Sequence, residues 1–282
     1  MQPTIQPPNL STEKASGRVA NSTPIAVNSL YVSDCVEFMR KMQANSVDLT
    51  ITSPPYDDLR NYKGYSFEFE AIAEGLFRVT KKGGVVVWVV GDRIKKGRTL
   101  SSFRQALYFQ EIGFYVHDVM IYRKKNTPFM RSNAYTNCYE FMFVLSKGSP
   151  KTFNPLKEPT VRNGMEMLVT NKGADAVNNK VLKELKKEKT QTNIWSYAVG
   201  LHGTTSDRIA FKHPAVFPEG LASDHIESWS NEGDLVFDPM CGSGTTCKMA
   251  LLKKRLYIGV DISREYIEIA KERIKQYGNT IT

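Results

Sequence analysis

The stretch DLVFDPMCGSGTTCKMALLKKRLYIGVDI, residues 234–262 of 282, constrains the fold more than any other part of the chain. A short β-rich run at Leu235–Phe237 meets a glycine loop; a helical run comes next at Thr246–Lys253, then a second strand at Leu256–Val260. Two strands joined through a helix lie parallel in one sheet, with a right-handed crossover between them. A parallel sheet must be covered on both faces. The same alternation recurs upstream, with a strand at Val47–Thr52, a helix at Phe67–Thr80, the doubly apolar strand GVVVWVV (Gly84–Val90) and a helix at Thr99–Glu111. Strands at Tyr115–Tyr122 and Tyr139–Leu145 succeed each other without a helix, so an antiparallel hairpin is expected at one edge. Helices at Glu219–Trp229 and Ser263–Gln276 complete the pattern. The expected class is therefore α/β, a doubly wound, mostly parallel sheet that binds its ligands beyond the carboxyl ends of the strands.

Two loops at such ends carry chemistry. Gly242 and Gly244 permit a tight turn and close approach of a ligand, and the helix behind them offers free N–H groups. Asp261, ending the second strand, is placed to accept hydrogen bonds from ribose hydroxyls. A dinucleotide fingerprint would need glycine where Cys247 stands, and the Asp238 carboxylate would repel a pyrophosphate while suiting an ammonium group. The pattern fits a nucleoside-containing cofactor with a cationic end. The other loop is Ser53-Pro54-Pro55-Tyr56, directly after a strand. Proline has no N–H for a ladder and holds φ near −65°, so the Pro-Pro step ends the strand and stiffens the loop beyond it. The result is a rigid platform with a hydroxyl, free carbonyls and an aromatic face.

The formal net charge of +9 points to a polyanionic partner. The four cysteines, Cys35, Cys138, Cys241 and Cys247, are scattered without metal-ligand spacing, which suggests a reduced, cytoplasmic protein without a metal site. No apolar run approaches the roughly 20 residues that cross a bilayer, so no membrane partner is expected. Residues 1–27 are rich in Pro, Ser, Thr and Asn and are expected to form a flexible arm. Residues 148–207 are polar, Lys-rich and poorly periodic, too long for a simple connection, and are expected to be a functional insertion between halves at 28–147 and 208–282.

Together, DPMCGSGTT, TSPPY, FKHPAVFPEGL and SLYVSDCVEFM resemble the S-adenosyl-L-methionine-dependent amino-methyltransferases of DNA, in the permuted beta order where the catalytic motif precedes the cofactor loop. The resemblance covers the chain from about residue 28 and implies a class I methyltransferase, Rossmann-like fold. It makes Ser53, Pro54, Pro55 and Tyr56 catalytic. Cofactor contacts would come from Asp34 and Cys35, from Lys212, His213, Pro214 and Phe217, and from the loop Asp238, Pro239, Met240, Cys241, Gly242, Ser243, Gly244 and Thr245. Asp261 and Ile262 complete that set. Arg123, Lys124, Lys125 and Arg131 fall where the family brings double-stranded DNA near the target base, although they would equally make an ordinary charged rim. The insertion would recognise the target sequence. A cognate restriction endonuclease is a candidate partner, and the enzyme would act as a monomer or homodimer.

An exocyclic amine is a poor nucleophile because its lone pair is delocalised into the ring. Bonds from its two N–H groups to the Ser53 hydroxyl and the Pro54 carbonyl would turn the lone pair toward the methyl donor, with Tyr56 stacked on a flipped base. Attack at cytosine carbon 5 would need a thiolate, usually after a proline, and no cysteine here comes directly after one. Within the family the first residue of the tetrapeptide is usually Ser for cytosine and Asp or Asn for adenine. The expectation is therefore methylation of cytosine N4 in duplex DNA, with adenine N6 as the alternative. A non-catalytic DNA- or nucleotide-binding protein of the same fold is a further alternative, and an RNA substrate stays open.

Overall fold

The computed structural model describes residues 25–55, 67–94, 96–127, 130, 132, 134–162, 164–171 and 178–278. Among them the chain runs β1 (Ser29–Val32), α1 (Cys35–Lys41), β2 (Val47–Thr52), α2 (Phe69–Val79), β3 (Thr80–Val90), α3 (Ser101–Glu111), β4 (Tyr115–Lys124) and β5 (Tyr139–Ser146). Four strands come next: β6 (Lys157–Pro159), β7 (Gly164–Asn171), β8 (Asn178–Leu185) and β9 (Glu188–Thr190). Then come β10 (Ile194–Tyr197), a 3-10 turn (Arg208–Lys212), α4 (Glu219–Trp229), β11 (Leu235–Asp238), α5 (Thr245–Leu252), β12 (Leu256–Asp261) and α6 (Arg264–Gly278). The arm expected at residues 1–27 falls mostly on residues 1–24, which lie outside the described set.

Eight strands form one sheet in the order β1-β12-β11-β2-β3-β5-β4-β10. Only β5 runs against its neighbours, β3 and β4; every other neighbouring pair is parallel. The β4–β5 hairpin expected from the sequence is present, but it is not the sheet's edge, because β10 adds in parallel beside β4. The central run explains why the sheet is two-faced. Val85, Val87 and Val89 pack into one apolar cluster with residues of α4, α5 and α6, while Val86, Trp88 and Val90 pack into the other with α1, α2 and α3. Each fully buried aliphatic side chain contributes about 1.5–3 kcal/mol, so these layers hold the sheet between its helices.

Residues 148–207, poorly periodic in sequence, contain regular strands. They build two antiparallel ladders, β6 with β9 and β7 with β8, before β10 returns to the main sheet. The ladders escaped the sequence reading because an apolar side chain left in solvent gives no buried face to detect: Met165, Met167 and Leu182, on one face of the β7–β8 ladder, are all more than half exposed. Trp195 of β10, 8 % exposed, packs against the His225 ring of α4 at 4.6 Å.

Phe109 of α3 is fully buried and meets Phe69, Trp88 and Phe114 edge-on at 5.2–5.7 Å between centroids. Phe109→Ala should destabilise the protein by about 3–5 kcal/mol in a denaturant titration, without changing ligand affinity at the distant strand ends. A loss below about 1 kcal/mol would show that the site collapses and that this side of the sheet is loosely packed.

Candidate active site

The strand order reverses between β11 and β2, and both loops, the Gly242 turn and the Ser53 platform, leave the sheet there. Val236 pairs with Leu49 and Phe237 with Thr50, so Asp238 at the end of β11 stands beside Ile51 and Thr52, directly before Ser53. Pro54 is buried and Ser53 and Pro55 half-buried; Tyr56 lies outside the described residues. On the other side β12 runs beside β11 with Asp238 opposite Gly259, which puts Asp261 beyond the loop. β1 then pairs Val32 with Asp261, and the Ser33 N–H donates to the Asp261 carbonyl at 3.0 Å. Asp34 comes next, exposed, with Oδ1 accepting from the Glu37 N–H at 2.9 Å as the N-cap of α1. Four strand ends thus deliver Ser53, Asp238, Asp261 and Asp34 to one rim.

The loop between β11 and α5 is held in a shape that glycine makes possible. Gly242 and Gly244 have φ of 48° and 79°. A Cβ on Gly242 would lie 2.8 Å from His213 Nε2, so the histidine ring fills the space that a side chain would need. His213 in turn stands 4.3 Å from the Tyr266 ring, nearly perpendicular, with Nδ1 2.6 Å from the Ala215 carbonyl. Asp261 closes the loop from the other side: Oδ2 accepts from the Gly242 N–H at 2.9 Å and Oδ1 from the Ser263 N–H at 2.8 Å. A carboxylate oxygen has two lone pairs, so each keeps capacity for a ligand hydroxyl.

Asp238 is the electrostatic anomaly. The residue is 1 % exposed and, among the described residues, its carboxyl has no cationic partner. Burial pushes its pKa up to about 7; the nearby Thr52 and Thr246 hydroxyls and the Met240 N–H, 3.2 Å from Oδ1, work against that rise. Burial also raises Asp261, opposed by the two N–H bonds it accepts, and burial with the neighbouring Asp34 pushes the Cys35 thiol up to about 12. A buried carboxyl beside a glycine loop, with no cationic partner among the described residues, is one to which an ammonium group could bind.

The remaining expected residues fall less centrally. Pro239, Cys241 and Ser243 are buried within the loop and Thr245 at the start of α5, and Met240 and Phe217 are half-buried against the two apolar clusters. Lys212 and Pro214 are exposed, and Ile262 is 39 % exposed beside Asp261. Arg123, in the last residue pair between β4 and β5, and Lys125, just after β4, are exposed, whereas the Lys124 ammonium is paired with Glu140 at 2.5 Å. Arg131 lies outside the described residues. Residues that sequence reasoning passed over include Thr52, Thr246 and a buried charge cluster beneath the loop, at Asp207, Glu219, Lys248 and Arg273. One signal was available: Arg273 succeeds Ile267 and Ala270 at helical spacing, on the buried face of α6.

The sequence profile of the N6/N4 DNA methylases matches residues 47–272, which takes in both loops. The chain belongs to this family. The methylase is 55 % identical over 238 residues to the orphan methyltransferase M.BamHII of Bacillus amyloliquefaciens, covering 82 % of this chain and 90 % of that one. It is 29 % identical to the type II methyltransferase M.HpaI of Haemophilus parainfluenzae, over 87 % of this chain and 73 % of the relative. Among solved structures, the PvuII DNA methyltransferase, described as cytosine-N4-specific, shares the fold with a TM-score of 0.62 at 20 % identity, over 90 % of this chain and 92 % of that one. The complex of M1.HpyAVI with S-adenosylmethionine matches with a TM-score of 0.54 at 25 % identity, over 86 % and 98 % of the two chains. Among the described residues no helix is long and apolar enough to cross a membrane, and no cluster of His, Cys, Asp and Glu could hold a metal ion.

Asp238 generates a pH prediction. Its folded carboxyl holds its proton to about 7, whereas an unfolded one loses it near 3.9, so the folded state binds more protons in between and its stability falls as pH rises through that window. Asp238→Asn mimics the protonated form and removes the penalty. Without ligand, the variant should be more stable than wild type at pH 8, by up to about 4 kcal/mol, with the gain shrinking toward pH 4. A pH-independent difference would show that Asp238 is not held in this way.

Proposed function

We propose that this methylase transfers a methyl group from S-adenosyl-L-methionine to the exocyclic N4 amine of cytosine in duplex DNA, with the base flipped out of the helix to the Ser53 platform. The observation that carries the reading is the adjacency of Ser53, at the end of β2, to the Asp238 loop at the end of β11. The residues present fit the cofactor: the buried Asp238 carboxyl suits its ammonium, the spare lone pairs of Asp261 suit its ribose, and Asp34, near Asp261, suits its adenine. The cofactor supplies a methyl group on a sulfonium that is reactive without metal or covalent help.

The chain's own part is to position and polarise the amine. The strand end and the prolines fix the Ser53 hydroxyl and the Pro54 carbonyl, which accept the two amine N–H bonds and draw the nitrogen lone pair out of the ring. A serine hydroxyl can accept from the amine and also donate to the ring nitrogen beside it, whereas an ionised aspartate could only accept. This suits the basic N3 of cytosine, and the family's use of Ser at this position tips the choice toward that base. The cytosine-N4 specificity in the name of the PvuII enzyme, which shares the fold, is consistent with it. Tyr56 would stack on the flipped base. The exposed Arg123 and Lys125 would hold phosphates, giving affinity that falls with salt, and residues 148–207 would read base edges.

Duplex DNA incubated with the enzyme and methyl-labelled cofactor, digested to nucleosides and analysed by mass spectrometry, should yield N4-methylcytosine. Ser53→Ala should lose on the order of a hundredfold in turnover while binding cofactor as wild type does. Labelled N6-methyladenine as sole product would move the reaction to adenine, and undiminished turnover by Ser53→Ala would remove the serine from the mechanism.

A further inference from the structure

Beneath the glycine loop lies a cluster that methyl transfer itself does not use. Arg273 of α6 is fully buried, and its guanidinium reaches three parts of the chain at once. Nη1 donates to the Ser243 carbonyl at 2.6 Å, to the Ser243 hydroxyl at 3.1 Å and to the Thr245 hydroxyl at 3.2 Å. Nη2 donates to Glu219 at 2.7 Å and Nε to Asp207 at 3.1 Å. Lys248 of α5, 3 % exposed, donates to the same two carboxylates at 2.7 Å each, and its ammonium lies 4.3 Å from the centroid of the Tyr277 ring. The Tyr277 hydroxyl donates to Asp207 at 3.0 Å. Two cations and two carboxylates therefore balance in a nearly dry space. Burial would raise the Asp207 pKa, but the bonds from Lys248, Arg273 and Tyr277 win and hold it below the usual range.

The two cations differ in what they touch. Lys248 bonds only carboxylates, whereas Arg273 also bonds the backbone of the loop, at the residue between the two positive-φ glycines. A planar fork can serve the loop on one edge and the carboxylates on the other; a single ammonium cannot span both. We infer that Arg273 is a positioning residue for the cofactor loop: it fixes Ser243 and Thr245 from behind, while Asp261 fixes the Gly242 N–H in front, and Asp207 and Glu219 keep its charge in place. The loop thereby enters the binding equilibrium already shaped, which lowers the ordering cost of binding. The inference rests on the assignment of S-adenosyl-L-methionine to this loop.

Calorimetric titration of S-adenosyl-L-methionine into the full chain, with melting temperatures alongside, separates positioning from mere stability. Arg273→Met removes one cation and leaves a buried carboxylate unpaired, so it should both lower the melting temperature and weaken binding. Arg273→Met combined with Glu219→Gln restores the charge balance through Lys248 and Asp207, and its melting temperature should recover toward wild type. Arg273→Lys keeps the charge outright. All three should bind the cofactor about tenfold or more weakly, because none rebuilds the bonds to Ser243 and Thr245 together with those to the carboxylates. Wild-type affinity in Arg273→Lys or in the charge-balanced double variant would overturn the inference and leave the cofactor assignment standing. Failure of the wild-type protein to bind S-adenosyl-L-methionine would overturn the assignment, and the inference with it.

Discussion

The parallel pairing of β11 with β2, with Val236 beside Leu49 and Phe237 beside Thr50, joins segments almost 190 residues apart in the chain. Strands pair outward from it in both directions, β12 and β1 on one side and β3 on the other, and their connections lie on opposite faces of the sheet. That reversal opens a crevice at the carboxyl ends, where helices cannot cover the backbone. Asp48 reinforces the junction from the other end, where its Oδ2 accepts from the Leu235 N–H at 3.0 Å and from Lys81 at 2.6 Å. If this pairing slipped by one residue, every side chain on the strand would change face, and Ser53 would leave the crevice together with the apolar register of Leu49 and Ile51.

Buried charge is distributed unevenly around the crevice, in a way that suits its division of labour. Below the glycine loop, four ionised groups are satisfied within the protein, so the loop rests on a rigid polar base. At the front, Asp238 is buried without such compensation, and the folded protein bears the cost of keeping a carboxyl there. A buried acid without a cationic partner costs stability; in the proposed function it would seat the ammonium of the cofactor.

Much of this was legible in the sequence because the signals were strong and local. Val47–Thr52 and Glu219–Trp229 form over the very residues expected, since Pro54-Pro55 stops the first and Pro218 starts the second. The run of valines around Trp88 announced a strand buried on both faces. By contrast, β1 has only four residues, none fully buried, and owes its existence to β12 beside it. In the ladders of 148–207, Met165, Met167 and Leu182 stay exposed and leave no buried face to detect. Arg273 and Lys248 went unremarked, because the sequence does not show that Asp207 and Glu219 fold over them. Nor does the basic run around Lys124 show in the sequence that the neighbouring strand brings Glu140 to its ammonium.

Everything in the proposed chemistry depends on the Ser53 platform and the glycine loop forming one pocket with the methyl donor between them. The decisive measurement is a crystal structure of the full chain with S-adenosyl-L-homocysteine. The amino-acid ammonium of that ligand should lie at Asp238 and its ribose at Asp261. Its sulfur should face the Ser53 hydroxyl and the Pro54 carbonyl across a gap wide enough for a flipped base. Ligand density elsewhere, or a sulfur turned away from Ser53, would contradict a shared pocket.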